Sequence, residues 1–160
     1  MIDVTQLTKK FGAKVAVDNL TFSVRSGTVT GFLGPNGAGK TTTMRIILGL
    51  ERPTKGRTRV NGRSYKGAKS PITEVGALME SRSFHPGRTA QDNLRAIAAT
   101  HGLGRKRVEE VLDLVGLAEV AGKRAGQYSL GMAQRLGLAT ALLGDPETLL
   151  LDEPINGLDP

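Results

Sequence analysis

Ile2 and Val4, and then Leu20, Phe22 and Val24, alternate with polar residues, the period-two pattern of strands with one buried face, and Leu7 is a further apolar position of the first. Ser26-Gly27 punctuates the chain, and the apolar run from Val29 to Leu33 predicts another strand, followed by a helix-like segment from Thr41 to Leu50. Pro53-Thr54-Lys55-Gly56 reads as a turn, and Asn61-Gly62, between Arg57–Val60 and Arg63–Tyr65, as the turn of a β-hairpin. Val75 to Met79 predicts a short strand ending at Glu80. The period then changes. From Thr89, an expected N-cap, Ala90, Leu94, Ile97 and Ala98 share one helical face, as do Val108, Val111, Leu112 and Val115 after Arg105. Gly126 to Gly131 breaks the pattern, a further helix is expected from Met132 to Leu143, and Asp145-Pro146 leads into a strand at Thr148 to Leu151. A strand-rich first third, a helical middle and a returning strand, with no repeat or low-complexity segment, predict an α/β core carrying a helical insert.

Between the Val29 to Leu33 run and the helix after it stands Gly34-Pro35-Asn36-Gly37-Ala38-Gly39-Lys40-Thr41, which fits the phosphate-binding pattern G-x-x-x-x-G-K-[ST]. Glycines at 34, 37 and 39 let the backbone turn its N–H groups inward, and those groups with the helix N-terminus make an anion site. Lys40 then reaches the outer phosphates of a nucleotide, Thr41 offers a hydroxyl to Mg²⁺, and Thr42 adjoins them. A glycine-rich turn could match the pattern by chance; the strand, loop and helix order favours the phosphate site.

Leu149-Leu150-Leu151-Asp152-Glu153 is an apolar strand ending in two acids. A buried strand tolerates them where they emerge at its C-terminal end, which is where open α/β sheets bind ligands. Asp152 suits a Mg²⁺ shell and Glu153 a general base that polarises an attacking water; a solvated pair of strand-ending acids is the alternative.

Composition narrows the rest. The chain has 160 residues, of which 39% are hydrophobic, enough for a real core. No run approaches the ~18 to 20 apolar residues of a membrane span, and the N-terminus lacks a signal-peptide pattern, so a cytoplasmic protein is expected. With no cysteine and only two separated histidines, His85 and His101, a zinc site is not expected. The net charge of +7 gathers between Arg52 and Lys69, where Arg52, Lys55, Arg57, Arg59, Arg63, Lys66 and Lys69 occur with no acid among them. This is a solvated hairpin face or a surface for acidic lipid or nucleic acid, and only Tyr65 interleaves an aromatic ring with the run. Phe11, in Lys9-Lys10-Phe11-Gly12, is either a core aromatic or a flat surface for a nucleotide base.

Together these residues resemble the ATP-binding subunits of ABC transporters. Tyr128-Ser129-Leu130-Gly131-Met132-Ala133-Gln134-Arg135 is similar to that family's signature motif, Asn156-Gly157-Leu158-Asp159 to its D-loop, and Lys9 to Gly12 to its adenine-stacking loop. The order and spacing match along the whole chain. Two departures, Glu80 where the family usually has Gln and Tyr128-Ser129-Leu130-Gly131-Met132 for the usual Leu-Ser-Gly-Gly-Gln, resemble the antibiotic and lantibiotic exporters of the daunorubicin and bacitracin type.

The resemblance implies a P-loop NTPase (RecA-like) core with an N-terminal antiparallel β subdomain and an inserted helical subdomain. Residues 1–80 and 144–160 would form the nucleotide-binding core, and 81–143 the mainly helical subdomain with the signature. It implies ATP and Mg²⁺ as ligands, bound by Phe11, by Gly34 to Thr42 and, for the metal, by Thr41, Glu80 and Asp152. Ser129, Gly131 and Met132, at the start of a helix entered at Met132, would present a hydroxyl, a backbone N–H and the helix dipole to the γ-phosphate of ATP on a second ATP-binding subunit. Glu153 would be the base, and Glu80 would sense Mg²⁺ and the water. The implied partners are a second copy, head to tail, and a multi-span permease, with the chain peripheral on the inner face of the cell membrane and no nucleic acid expected. The family's switch histidine and final core strands lie beyond the D-loop, whereas the sequence stops at Pro160, so a C-terminally truncated cassette is expected. A soluble ABC ATPase of ribosomes or DNA is the competing reading: it would suit the positive charge, but the short Lys40 to Asp152 separation leaves no room for a long coiled coil and one cassette is present. A non-catalytic fragment is the other.

Overall fold

The computed structural model describes residues 1–79 and 84–153 and divides at residue 69 into two compact units. The first opens with β1 (Ile2–Phe11) and β2 (Lys14–Val24), an antiparallel hairpin closed by Gly12-Ala13 with Gly12 at φ 57°. β3 (Lys55–Val60) adds to the other edge of β1, giving the order β2-β1-β3. Ile2 and Val4 are both buried as the alternation predicts, as are Leu7, Val17 and Val60 of the sheet and Ile46, Ile47 and Leu48 at the end of α1 (Lys40–Ile47). Alternation fails after Val4. Gln6 takes φ 47°, the ladder shifts register, and Leu7, Thr8 and Lys9 are buried in succession.

The second unit begins with the single turn α2 (Pro71–Glu74) and β4 (Val75–Leu78). Three helices follow, α3 (Ala90–Thr100), α4 (Arg105–Leu114) and α5 (Leu130–Leu142), and then β5 (Thr148–Leu151). β5 lies parallel to β4, Val75 opposite Thr148 and Leu78 opposite Leu151, a pairing that requires a long crossover, here a helical one. Leu94, Val108, Val111, Leu112, Leu117, Leu136 and Leu143 fill the core between the helices. α5 approaches β4 closely because glycine stands at both contacts. A Cβ on Gly76 would strike the Ala141 carbonyl, and one on Gly137 would lie 2.6 Å from Leu78 Cδ1.

Four expectations are corrected. Val29 to Leu33 is not a strand: among the described residues nothing pairs with it, Val29 and Leu33 are exposed, and an extended segment without a ladder has no reason to remain regular. The helix predicted to Leu50 ends at Ile47, where Gly49 at φ 67° turns the chain and donates to the Ile46 carbonyl. The Asn61-Gly62 turn forms, with φ 48° and 81°, but its second strand is a single bridge between Val60 and Arg63, since the chain turns again at once, Ala68 N–H donating to Tyr65 O with Gly67 at φ 89°. Finally, the signature helix starts at Leu130, two residues before the expected Met132, since Ser129 is its N-cap.

Candidate functional site

The phosphate-binding loop is built by two left-handed glycines, Gly37 and Gly39, both at φ 82°. An L side chain is strained in that region, and at Gly39 a Cβ would also strike the Ala16 carbonyl and come within 2.9 Å of Val17 Cγ2. Glycine is therefore demanded twice at Gly39, by its dihedral and by the β2 backbone behind it. The turn is closed by the Ala38 N–H donating to Pro35 O at 3.2 Å, and α1 starts at once, Thr43 N–H donating to Gly39 O at 2.8 Å. Lys40 is the first helical residue and half-buried, its Nζ donating to the carbonyls of Gly34 (2.6 Å) and Pro35 (3.0 Å). Gly34, Asn36 and Thr41 are exposed, and Thr42 is half-buried beside Thr41. The result is an exposed loop at a helix N-terminus carrying an ammonium, a donor set for a chain of phosphates, and Thr41 adds a hydroxyl suited to a hard, oxygen-seeking cation. Phe32, just before the loop, stacks on Phe22 of β2 with ring centroids 5.3 Å apart, tying the segment to the sheet.

Phe11 lies in this same unit at the tip of the β1–β2 hairpin and is 48% exposed, which removes the core-aromatic reading. Sequence reasoning passed over its neighbour. The Lys9 ammonium, almost buried, sits 4.7 Å from the Phe11 ring centroid and donates to Glu51 Oε1 at 2.7 Å and to Arg52 O at 2.8 Å. The hydrogen bond from Lys9 holds the Glu51 carboxyl below its usual range, and the charges of Lys9 and Arg45 add to the effect. The signal the sequence held for Lys9 is the spacing of Ile2, Val4 and Leu7, where period two breaks after Val4 and puts Leu7 and Lys9 in phase.

The basic residues from Arg52 to Lys69 are all exposed. Several line a cleft of about 560 Å³ with Ile46, Ile47 and Glu51, and none of its lining residues belongs to the phosphate loop.

In the second unit, Asp152 follows β5 and its N–H donates to Leu78 O at 2.8 Å, extending the parallel ladder by one bond. The acid pair is thereby fixed at the C-terminal ends of β4 and β5, the side on which such sheets bind ligands. Asp152 is half-buried; Glu153 is exposed and adopts φ 46°, a left-handed conformation rare for a residue with a side chain. Its carbonyl accepts from Nε2 of the buried Gln134 at 3.1 Å. Gln134 lies in α5, inside the stretch that looks like a signature, so that helix and the acid pair are tied directly; this link too was missed. At the start of α5 Ser129 Oγ accepts from Met132 N–H at 3.2 Å, with Gly131 between them in the first turn. Tyr128 is buried behind this cap, its hydroxyl donating to Val120 O at 2.8 Å. Glu80 and Asn156 to Asp159 lie outside the described residues. Among the described residues no cluster of His, Asp and Glu is arranged to hold a metal, and no helix is long and apolar enough to cross a membrane.

Known proteins are similar to this chain in sequence and fold. The chain is 46% identical over 162 residues to the bacitracin transport ATP-binding protein BcrA of Bacillus licheniformis, all of this chain aligning with 53% of that protein. It is 34% identical over 160 residues to the lantibiotic transport ATP-binding protein SrtF of Streptococcus pyogenes, covering 69% of it. The chain thus spans about half the length of several curated relatives it matches. Among solved structures, the dimeric ATP-binding cassette MJ0796 in a post-hydrolysis state bound to ADP and Pi superposes with a TM-score of 0.87 at 26% identity, over 99% of this chain and 76% of that one. The fold is that of an ABC ATPase cassette. With the family profile described as "ABC transporter" also matching residues 17–156, the chain belongs to that family.

Proposed function

We propose that the protein is the ATP-binding and ATP-hydrolysing subunit of a membrane exporter of the antibiotic or lantibiotic kind. The observation that carries the reading is the loop from Gly34 to Thr41, whose left-handed Gly37 and Gly39 place Lys40 at the first position of α1. On this reading the loop amides and Lys40 bind the phosphates of ATP, and Phe11 stacks on the adenine. Mg²⁺, when bound, screens the phosphate charge; Thr41, Asp152 and Glu80 are the residues that would hold it. Glu153 accepts the proton of the attacking water, its backbone fixed by Gln134. Ser129, Gly131 and Met132 serve the partner's nucleotide at the N-terminus of α5, so ATP joins two copies head to tail, and a multi-span permease converts their closing and opening into transport. The chain would then sit on the inner face of the membrane. The two units, 1–69 and 70–160, each bring one half of the chemistry: phosphate and base binding in the first, acid pair and signature in the second.

Lys40→Ala tests the central claim. It removes the cation that meets the phosphates, and binding of a fluorescent ATP analogue is expected to vanish; unchanged affinity overturns the site. In the relatives' full length, Glu153→Gln should bind ATP, dimerise and barely turn over, because an amide accepts no proton, whereas Glu80→Gln should keep substantial activity. The reverse outcome would exchange their roles.

A further inference from the structure

We propose that Lys9 is a positioning residue for the nucleotide base: anchored by Glu51 and the Arg52 carbonyl, its ammonium holds one face of Phe11 and leaves the other to stack on adenine. The inference rests on the proposed ATP site.

A lysine is seldom buried without a partner, and Lys9, 9% exposed, has two. Glu51 Oε1 and Arg52 O take two of its three N–H donors, which fixes where the charge sits. That place is 4.7 Å from the centroid of Phe11, within the range at which an ammonium is attracted to an aromatic face. Phe11 ends β1 at a two-residue turn, where a half-exposed ring would otherwise be free to change rotamer. The ammonium covers one face, so the exposed part of the ring is the other. A cation behind a ring also draws π density toward itself, which makes the open face a better partner for an electron-rich purine.

A purely structural ion pair between Lys9 and Glu51 would explain the burial without any nucleotide. The two roles separate by ligand. ATP and inorganic tripolyphosphate share the phosphate contacts of the Gly34 to Thr41 loop, but only ATP has a base. Affinities for both should be measured by calorimetry on the whole protein and its variants. Phe11→Ala is expected to lower ATP affinity about tenfold and leave tripolyphosphate unchanged. Lys9→Met should lower ATP affinity about fivefold, again with tripolyphosphate unchanged, and Lys9→Arg should restore it. In the Phe11→Ala background, Lys9→Met should cost nothing more. A Lys9→Met loss that is equal for both ligands, or that persists undiminished without Phe11, overturns the proposal. An unchanged ATP to tripolyphosphate ratio in Phe11→Ala overturns the base-stacking reading beneath it. If Lys9→Met does not fold, Glu51→Gln, which keeps the ammonium but loosens its anchor, must lower the same ratio, and a ratio that stays put overturns the role of Lys9.

Discussion

Two apolar runs of similar character, Val29 to Leu33 and Thr148 to Leu151, each lead into half of the candidate chemistry, and they fold differently. Thr148 to Leu151 is a strand: it shares a parallel ladder with β4, and Leu150 is 5% exposed. Val29 to Leu33 has no ladder among the described residues, Leu33 is 91% exposed, and the stacking of Phe32 on Phe22 is its main anchor. Propensity does not separate them. What separates them is company, since a strand is stabilised by neighbours on its hydrogen-bonding edges and by a covered face. The phosphate loop that follows the unpaired run is nevertheless shaped, because glycine dihedrals and the Gly39 contact with β2 set it locally.

The two runs should differ most when one leucine of each is cut back to alanine. Leu150→Ala is expected to destabilise by about 2 to 5 kcal/mol, as buried leucines do, whereas Leu33→Ala should stay within about 0.5 kcal/mol. Denaturant unfolding of both variants of the 160-residue chain checks this. Equal costs would show that Val29 to Leu33 is a buried strand after all. In a longer form with a strand beside that run, Leu33→Ala should join Leu150→Ala.

A second test sharpens the packing side. Gly76→Val drives a branched side chain against the Ala141 carbonyl and Pro146, and overpacking of that kind should cost about 3 kcal/mol. The same substitution at Gly27 strains a left-handed residue (φ 73°) but meets open space, so it should cost about 1 to 2 kcal/mol. Parity between the two, measured by thermal melting, would remove α5 as the element that fixes β4.

Where sequence reasoning succeeded, the determinant was local. Thr89 caps α3 through the Asp92 N–H at 3.0 Å, and β4 and β5 fall where the short apolar runs put them. Where it failed, the determinant was a neighbour. Val29 to Leu33 finds no ladder partner among the described residues, and the register shifts beyond Val4 turn Lys9 inward; the start of α5 is the exception, set locally by the Ser129 cap. The loop residues of the candidate site were legible because glycine, lysine and threonine at fixed spacing carry their own chemistry. Lys9 and Gln134 were not, because each acts through a partner distant in sequence, Glu51 and Glu153.

Gln134 offers a smaller but more specific effect. Gln134→Leu keeps the volume and removes the donor to the Glu153 carbonyl, so stability should fall by about 1 kcal/mol. Amide exchange near Asp152 and Glu153 should accelerate, as the φ 46° conformation loses its tether. Unchanged exchange would mean that β5 alone holds the acid pair.

The smallest effect concerns Tyr128, buried beneath the cap of α5. Burial pushes its phenol above the ordinary value of 10.0, opposed in part by the charge of Arg135. A folded-state value above the unfolded one means that, as pH rises, the unfolded chain releases this proton first. The unfolded state then binds fewer protons, and stability falls with pH. The contribution of Tyr128 is therefore complete below about pH 10 and lost as pH climbs through the folded value. Tyr128→Phe should cost about 1 kcal/mol near neutrality, from the lost hydrogen bond to Val120 O. Phenylalanine does not titrate, so the gap between the two proteins should narrow in alkali while other titrations cancel. Melting both at pH 7 and above pH 10 measures the gap: a constant difference would show that the Tyr128 phenol ionises as readily in the folded unit as in the unfolded chain.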